Sequence, residues 1–246
     1  MKKVLIDAGH GGKDPGAVDN GLKEKDIALA VSLQIKKRLE SNYDGVKVLL
    51  SRSADVFLEL KERTDIANKA GVDATVSIHC NAGGGSGGFE TFRYTNASAA
   101  SAALQNGLHT AIMEMLNKVA VGVIDRGQKV KNLHMVRESN MPAVLTENLF
   151  LDVITDAAKL KKDAVIQAII DGHVIGIAKY LGLKKKETAN QGINDNKVAV
   201  LVNGKKVADG VLENGTTYTP ARAVAEALGA AVTYDAASKT VNITTK

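Results

Sequence analysis

The feature that most constrains the fold is alternation. Over the first three quarters of the chain, short apolar runs of strand length are each followed by a stretch with helical apolar spacing. "KKVLIDA" (2–8) reads as a buried strand. "EKDIALAVSLQIKKRLE" (24–40) reads as an amphipathic helix, with Ile27, Val31, Ile35 and Leu39 on one stripe, and "VKVLLS" (46–51) as the next strand. The pattern continues with a helix over 58–71 closed by Gly71, a strand over 74–79, and "GGGSGG" (83–88) as a flexible loop. A strand over 89–94 follows, then a helix over 97–119 weakened near Gly107, and a strand over 142–150. Residues 156–183 are helical, with a break near 161–163 and an end at Gly182. This order predicts an α/β fold: a twisted, mostly parallel sheet flanked by helices.

After residue 183 the composition changes. "KKKETANQGINDN" (184–196) is polar, lacks periodic apolar residues and reads as a linker. Residues 197–246 form a small C-terminal α+β module of their own. Asn203–Gly204 marks a hairpin turn, "TPARAVAEALG" a helix opened by Thr219 and Pro220 and closed by Gly229, and "AVTYDAASKTVNIT" a second strand pair. So short a module is hard to stabilise alone. It is expected to pack on a second copy or on the main domain, residues 1–183.

Composition then excludes some functions. Aromatic residues are 4% of the 246 and tryptophan is absent, which disfavours base-stacking and nucleic-acid binding. One cysteine, Cys80, rules out an internal disulfide framework. The first apolar run is too short for an export signal, and no segment reads as long and apolar enough to span a bilayer, so synthesis in the cytoplasm without membrane insertion is expected. The net charge of +5 suits an anionic partner, or simply a solvated basic surface.

Ligands in open α/β sheets bind beyond the carboxyl ends of the strands. His10 follows the first strand in "DAGHGGKDPGA" (7–17), His79 ends the strand over 74–79, and Glu147 ends the strand over 142–150. Glu24 starts the first helix at the same edge. Two imidazoles and a carboxylate match a catalytic zinc site, with a second carboxylate needed to move protons. Spacing alone leaves open which of Glu24 and Glu147 is ligand and which is base. Cys80 alternates away from the face used by His79 and reads as a small buried hydrophobe. His109 and His173 lie within helices and read as structural.

Four blocks, in order over roughly residues 2–180, carry a resemblance: "IDAGHGGKDPGAVDNGLKEKD", "SRSADVFLELKERTDIAN", "SIHCNAGGGSGGFETFRY" and "DRGQKVKNLHMVRESNMPAVLTENLFLD". They resemble the zinc N-acetylmuramoyl-L-alanine amidases of the amidase-3 family, and among these the sporulation and phage wall hydrolases of bacilli. The resemblance implies that His10, Glu24 and His79 bind Zn2+ and that Glu147 is the catalytic acid/base. It implies hydrolysis of the amide between the muramoyl lactyl group and L-alanine of the stem peptide in peptidoglycan. Asn81, His134, Arg63 and Arg137 are then candidate substrate contacts, with a structural ion pair the alternative for Arg63. Residues 197–246 are similar to copper-amine-oxidase-like stalk repeats. They contain no histidine or cysteine to ligate copper, and the resemblance points to binding of wall, including anionic wall polymer, or to a homodimer. A wall hydrolase without an export signal is expected to reach the wall through a holin-made hole or mother-cell lysis, as an endolysin or a late autolysin. The competing readings are a zinc peptidase cutting within the stem peptide and an inert wall-binding protein.

Overall fold

The structure, a computed structural model, describes residues 1–186, 197–213, 216–236 and 238–245. It divides into two compact units, Met1–Lys186 and Glu187–Lys246.

In the first unit the chain runs β1 (Lys2–Ala8), the short hairpin β2 (Val18–Asp19) and β3 (Leu22–Lys23), α1 (Glu24–Asn42), β4 (Val46–Leu50), α2 (Leu60–Ala70) and β5 (Ala74–Asn81). It continues through β6 (Phe89–Arg93), α3 (Ala99–Val119), β7 (Asp125–Val130), α4 (His134–Arg137), β8 (Ala143–Phe150), α5 (Ile154–Leu160) and α6 (Asp163–Leu181). The six long strands form one sheet in the order β4-β1-β5-β8-β6-β7. The first four of these are parallel, whereas β6 runs antiparallel to β8 and β7 follows β6. The sheet is therefore mixed as well as mostly parallel, because β5 leads into β6 through a loop with no helix between, which reverses the strand, and α3 then brings β7 in parallel to β6.

Strand alternation sends side chains to two faces. On one, Val4, Ile6, Val76, Ile78, Val144 and Phe89 meet Val31, Ile35 and Leu39 of α1, Leu104, Leu108 and Ile112 of α3, and the buried side of α6. On the other, Leu5 packs against Ala67 of α2, and Phe92 and Leu145 pack against Val136 of α4. His79 and Glu147 are neighbours across β5 and β8, two and four residues along from Ser77 and Ala143, so the same alternation turns both toward this second face.

Several local expectations change. The helix α3 is unbroken at Gly107, where even a Cβ would meet the Gly176 carbonyl at an ordinary contact distance of 3.8 Å. The loop over 83–88 is tied at both ends: the N–H groups of Gly83 and Gly84 donate to Asp152, and that of Gly88 to Asp156. By length and a mean hydropathy of 1.3, α6 does reach what a membrane crossing needs, but its apolar residues are the centre of the core. Residues 184–186 are held to 42–44 by two backbone hydrogen bonds and a Tyr43–Lys185 bridge. The rest of the expected linker, 187–196, lies outside the described residues. The strands β2, β3 and β7 and the helix α4 had no apolar periodicity to announce them.

The second unit contains β9 (Lys197–Val202), β10 (Lys205–Glu213), β11 (Thr216–Tyr218), α7 (Ala221–Ala227), β12 (Ala231–Asp235) and β13 (Thr240–Thr244). The first three strands form one antiparallel sheet and the last two a hairpin. Asn203 and Gly204 both have positive φ, 53° and 78°, as a tight hairpin turn requires. Its buried cluster among the described residues is Ala225, Ala230 and Val232.

Candidate metal centre

The strand β1 ends in a turn that presents His10 with a left-handed backbone, φ 59°. A non-glycine residue there is strained and persists only where its surroundings hold it. Two buried arginines do so. Arg52 donates to the carbonyls of Ala8 and Gly9 at 3.0 and 2.7 Å. Arg63 donates to the carbonyls of Ala8 and His10, both at 2.6 Å, and pairs with the buried Asp7 at 3.0 Å. The ring of His10 is then fixed from behind, its Nδ1–H donating to Asp14 at 2.8 Å. That leaves Nε2 facing the site.

Glu24 enters from the first residue of α1. Its Oε1 lies 3.1 Å from His10 Nε2 and 2.8 Å from His79 Nδ1. The carboxylate is oriented by the N–H of Cys80 on Oε1 and of Ala17 on Oε2, at 3.1 and 3.0 Å. Gly16 makes the approach feasible: a Cβ there would stand 2.6 Å from both Glu24 Oε2 and the His10 ring. The two imidazoles meet edge-on, with centroids 4.9 Å apart. One donor atom from each of His10, Glu24 and His79 lies within 4.8 Å of the others.

The charges are coupled. Burial pulls both imidazoles down, but their hydrogen bonds to Glu24 outweigh it, raising His79 and taking His10 to about 9. Burial pushes Glu24 up, and the two imidazoles outweigh that, holding its carboxyl well below the usual range. This pocket stabilises positive charge between its three donors. Two neutral imidazole nitrogens and one carboxylate, with a side open to a cleft, fit a catalytic zinc.

Glu147 stands beside His79 in register, and Glu90 of β6 stands on its other side. Burial raises the Glu147 carboxyl to about 7; His79 opposes this, and Glu24 and Glu90 add to it. Its Oε2 is buried without a hydrogen-bond partner among the described residues. The metal donors, Glu147, Asn81, Glu90, Arg126, Lys131 and Phe150 line one cleft of about 490 Å³.

The other expected contacts are distributed unequally. Asn81 does line the cleft and donates to Glu90 at 2.6 Å. Arg63 does not line this cleft: it is 2% exposed, and its guanidinium is taken up by Asp7 and three carbonyls. His134 turns to α2, 3.3 Å from Thr64, and Arg137 pairs with Glu138 and Asn132, so neither lines this cleft. Cys80 is buried in the core. His109 binds Thr91 and Asp125, and His173 binds Thr146 and the Ile169 carbonyl. Sequence reasoning missed Asp14, Arg52 and Arg126. Asp14, four residues from His10, is the one that spacing could have found.

Comparison with known proteins agrees with this geometry. Residues 4–179 match the family described as N-acetylmuramoyl-L-alanine amidase, and residues 201–246 match the copper amine oxidase N-terminal domain. The chain is 44% identical over 193 residues to a sporulation-specific N-acetylmuramoyl-L-alanine amidase of Bacillus subtilis, covering 78% of this chain and 72% of that one. It is 50% identical over 187 residues to the endolysin of Bacillus phage SPP1, covering 75% and 68%. Among solved structures it resembles the catalytic domain of the amidase CwlV from Bacillus (Paenibacillus) polymyxa, with 38% identity and a TM-score of 0.69 over 75% of this chain and all of that one.

Proposed function

The chain belongs to the N-acetylmuramoyl-L-alanine amidase family, and from that premise we propose that His10, Glu24 and His79 hold a zinc ion while Glu147 moves the protons of the reaction. The protein is a peptidoglycan hydrolase and acts on the cell wall. The observation that carries the zinc reading is the convergence of two imidazole nitrogens and one carboxylate oxygen at the mouth of a cleft. Bound there, zinc supplies Lewis acidity, polarising the scissile carbonyl and making water a better nucleophile at neutral pH.

The chain's own groups supply the rest. Glu147, with a carboxyl near 7, accepts the proton of the attacking water and returns it to the nitrogen of the departing L-alanine. No other described group holds its Oε2. Asp14 keeps the His10 ring turned, so that Nε2 and not Nδ1 faces the metal. Asn81 and the Glu90 cluster border the substrate path.

We place residues 197–246 as a wall-attachment or self-association module, which light scattering and wall pull-down of the full chain distinguish. Release by a holin or by mother-cell lysis is the route we propose to the wall.

The test is a digest of purified walls by the zinc-loaded protein. New L-alanine amino termini should appear without new reducing sugar ends. Glu147→Gln should retain zinc and lose about 10²- to 10⁴-fold in kcat. His79→Ala should lose the metal. Full activity in Glu147→Gln would end the proton-transfer assignment.

A further inference from the structure

The cleft is electrically lopsided. At the β5–β8 side stand the metal donors and Glu147. At the far side, on β7 and just beyond it, Arg126 and Lys131 line the cleft, and a third cation, Lys129, stands between them on Glu90. One buried acid, Glu90, answers them. It pairs with Arg126 at 2.8 Å and with Lys129. Among the described residues, none of the three cations has another acidic partner. The Lys131 backbone is hydrogen-bonded to Arg93 and Leu133, but its ammonium makes no hydrogen bond or ion pair among the described residues and rests 5.6 Å from the centre of the Phe92 ring. Arg126 lies over the Phe150 ring at 4.7 Å, and its Nε and one terminal nitrogen are held by Glu90 and the Gly87 carbonyl. Aromatic faces and a buried carboxylate thus fix the cationic wall in place and leave it with unanswered positive charge.

The substrate is lopsided in the same way. On one side of the scissile amide is an uncharged amino-sugar chain. On the other is a peptide that carries carboxylates. Only the peptide side is complementary to this wall. Its distance also fits. From Glu147 the sheet steps across β6 to β7, two strand spacings or about 10 Å at the backbone to the level of Arg126; Lys131 stands about four residues, roughly 13 Å, further along the strand direction, and its side chain lines the same cleft. Arginine and lysine side chains reach back over part of that gap. One extended residue spans about 3.5 Å, so the wall comes within reach of the residue that follows L-alanine.

We propose that Lys131 and Arg126 form the peptide side of the cleft and bind a carboxylate on the second residue of the stem peptide. The assignment rests on the amidase reading. It makes the two residues determinants of specificity: they discriminate between wall peptides whose second residue carries a free acid and those in which that acid is amidated. Lys131 does most of the discriminating, because Arg126 is already engaged by Glu90.

Two muramoyl dipeptides test this, alike except for a carboxylate or a carboxamide on the residue after L-alanine. With the full-length zinc protein, kcat/KM should favour the acid by about tenfold, the size of one charge-assisted hydrogen bond. Lys131→Gln should abolish most of that preference through KM, leaving kcat and the carboxamide reaction within about twofold. Lys131→Arg should restore the preference, and Lys131→Glu should reverse it. The same order should hold for calorimetric binding of both compounds to Glu147→Gln, where no turnover intervenes. Equal rates on the two compounds in the wild type, or a loss in Lys131→Gln that falls equally on both, overturns the assignment while leaving the amidase reading intact. Failure to cut either compound overturns both.

Discussion

His10 reaches the site from a strained backbone because two guanidinium groups, on Arg52 and Arg63, bind the three carbonyls of its turn. The candidate ligands could be nominated from residue type and position at strand ends and at the start of α1. Those that hold the ligands could not, since a buried arginine reads in sequence as one more basic residue. Asp14 shows the consequence at single-residue scale. Asp14→Asn keeps the shape but weakens the hydrogen bond that orients His10, and should lower zinc affinity about 10- to 100-fold, measured against a competing chelator. Unchanged affinity would mean that the arginines alone set the ring. His173 gives a pH effect outside the site. Burial depresses its imidazole to about 4, only partly offset by the Ile169 carbonyl, so it folds neutral. The unfolded chain takes up a proton below about 6.5 and the folded chain does not until about 4. Stability is therefore full above about pH 6.5 and falls as pH drops through that window, by on the order of 3 kcal/mol for this residue. Urea unfolding at several pH values should show this slope, and His173→Gln should flatten it.

At the scale of elements, the row His79–Glu147–Glu90 across β5, β8 and β6 is what converts separate motifs into one site. The helices behind the sheet keep that row in register. The closest packing is between α3 and α6, where a Cβ on Gly172 would stand 2.5 Å from Ile112 Cα. Neither backbone can yield without moving its helix. Gly172→Ala should cost about 1–3 kcal/mol, read as a lowered Tm, despite alanine being the better helix former. A stabilised variant would show that the helices can part freely. The helices other than α4 were legible from their apolar stripes and caps, and the break between α5 and α6 from its lysines. The strand β7 was not. Its burial alternates between exposed and half-buried, it carries Gly127 at φ 83°, and no apolar face marks it. An edge strand buries too little to leave a hydrophobic signature, yet this one brings Arg126 and Lys129 to the cleft.

For the whole molecule, the two units differ in what holds them. The first has a core running through five strands and three long helices. The second, of about fifty described residues, has a buried cluster of two alanines and a valine, with Leu228, Tyr234, Val241 and Ile243 half exposed or more. Amide exchange should therefore be fast across β9–β13 and slow in β1, β5 and β8. Equal protection in the two units would mean that the module is stabilised by association, and dilution should then release it. The order of the long strands and helices other than β7, the change of character after residue 183 and the residue types of the candidate metal donors follow from the sequence alone, because apolar period and residue type are local properties. Tertiary structure decided which way β6 and β7 run, which carboxylate lies between the imidazoles, which stands with an unpartnered oxygen beside them, and that Arg63 is buried behind the His10 turn and outside the cleft. Those are matters of distance between residues up to 130 or so positions apart, and distance is created only when the sheet assembles.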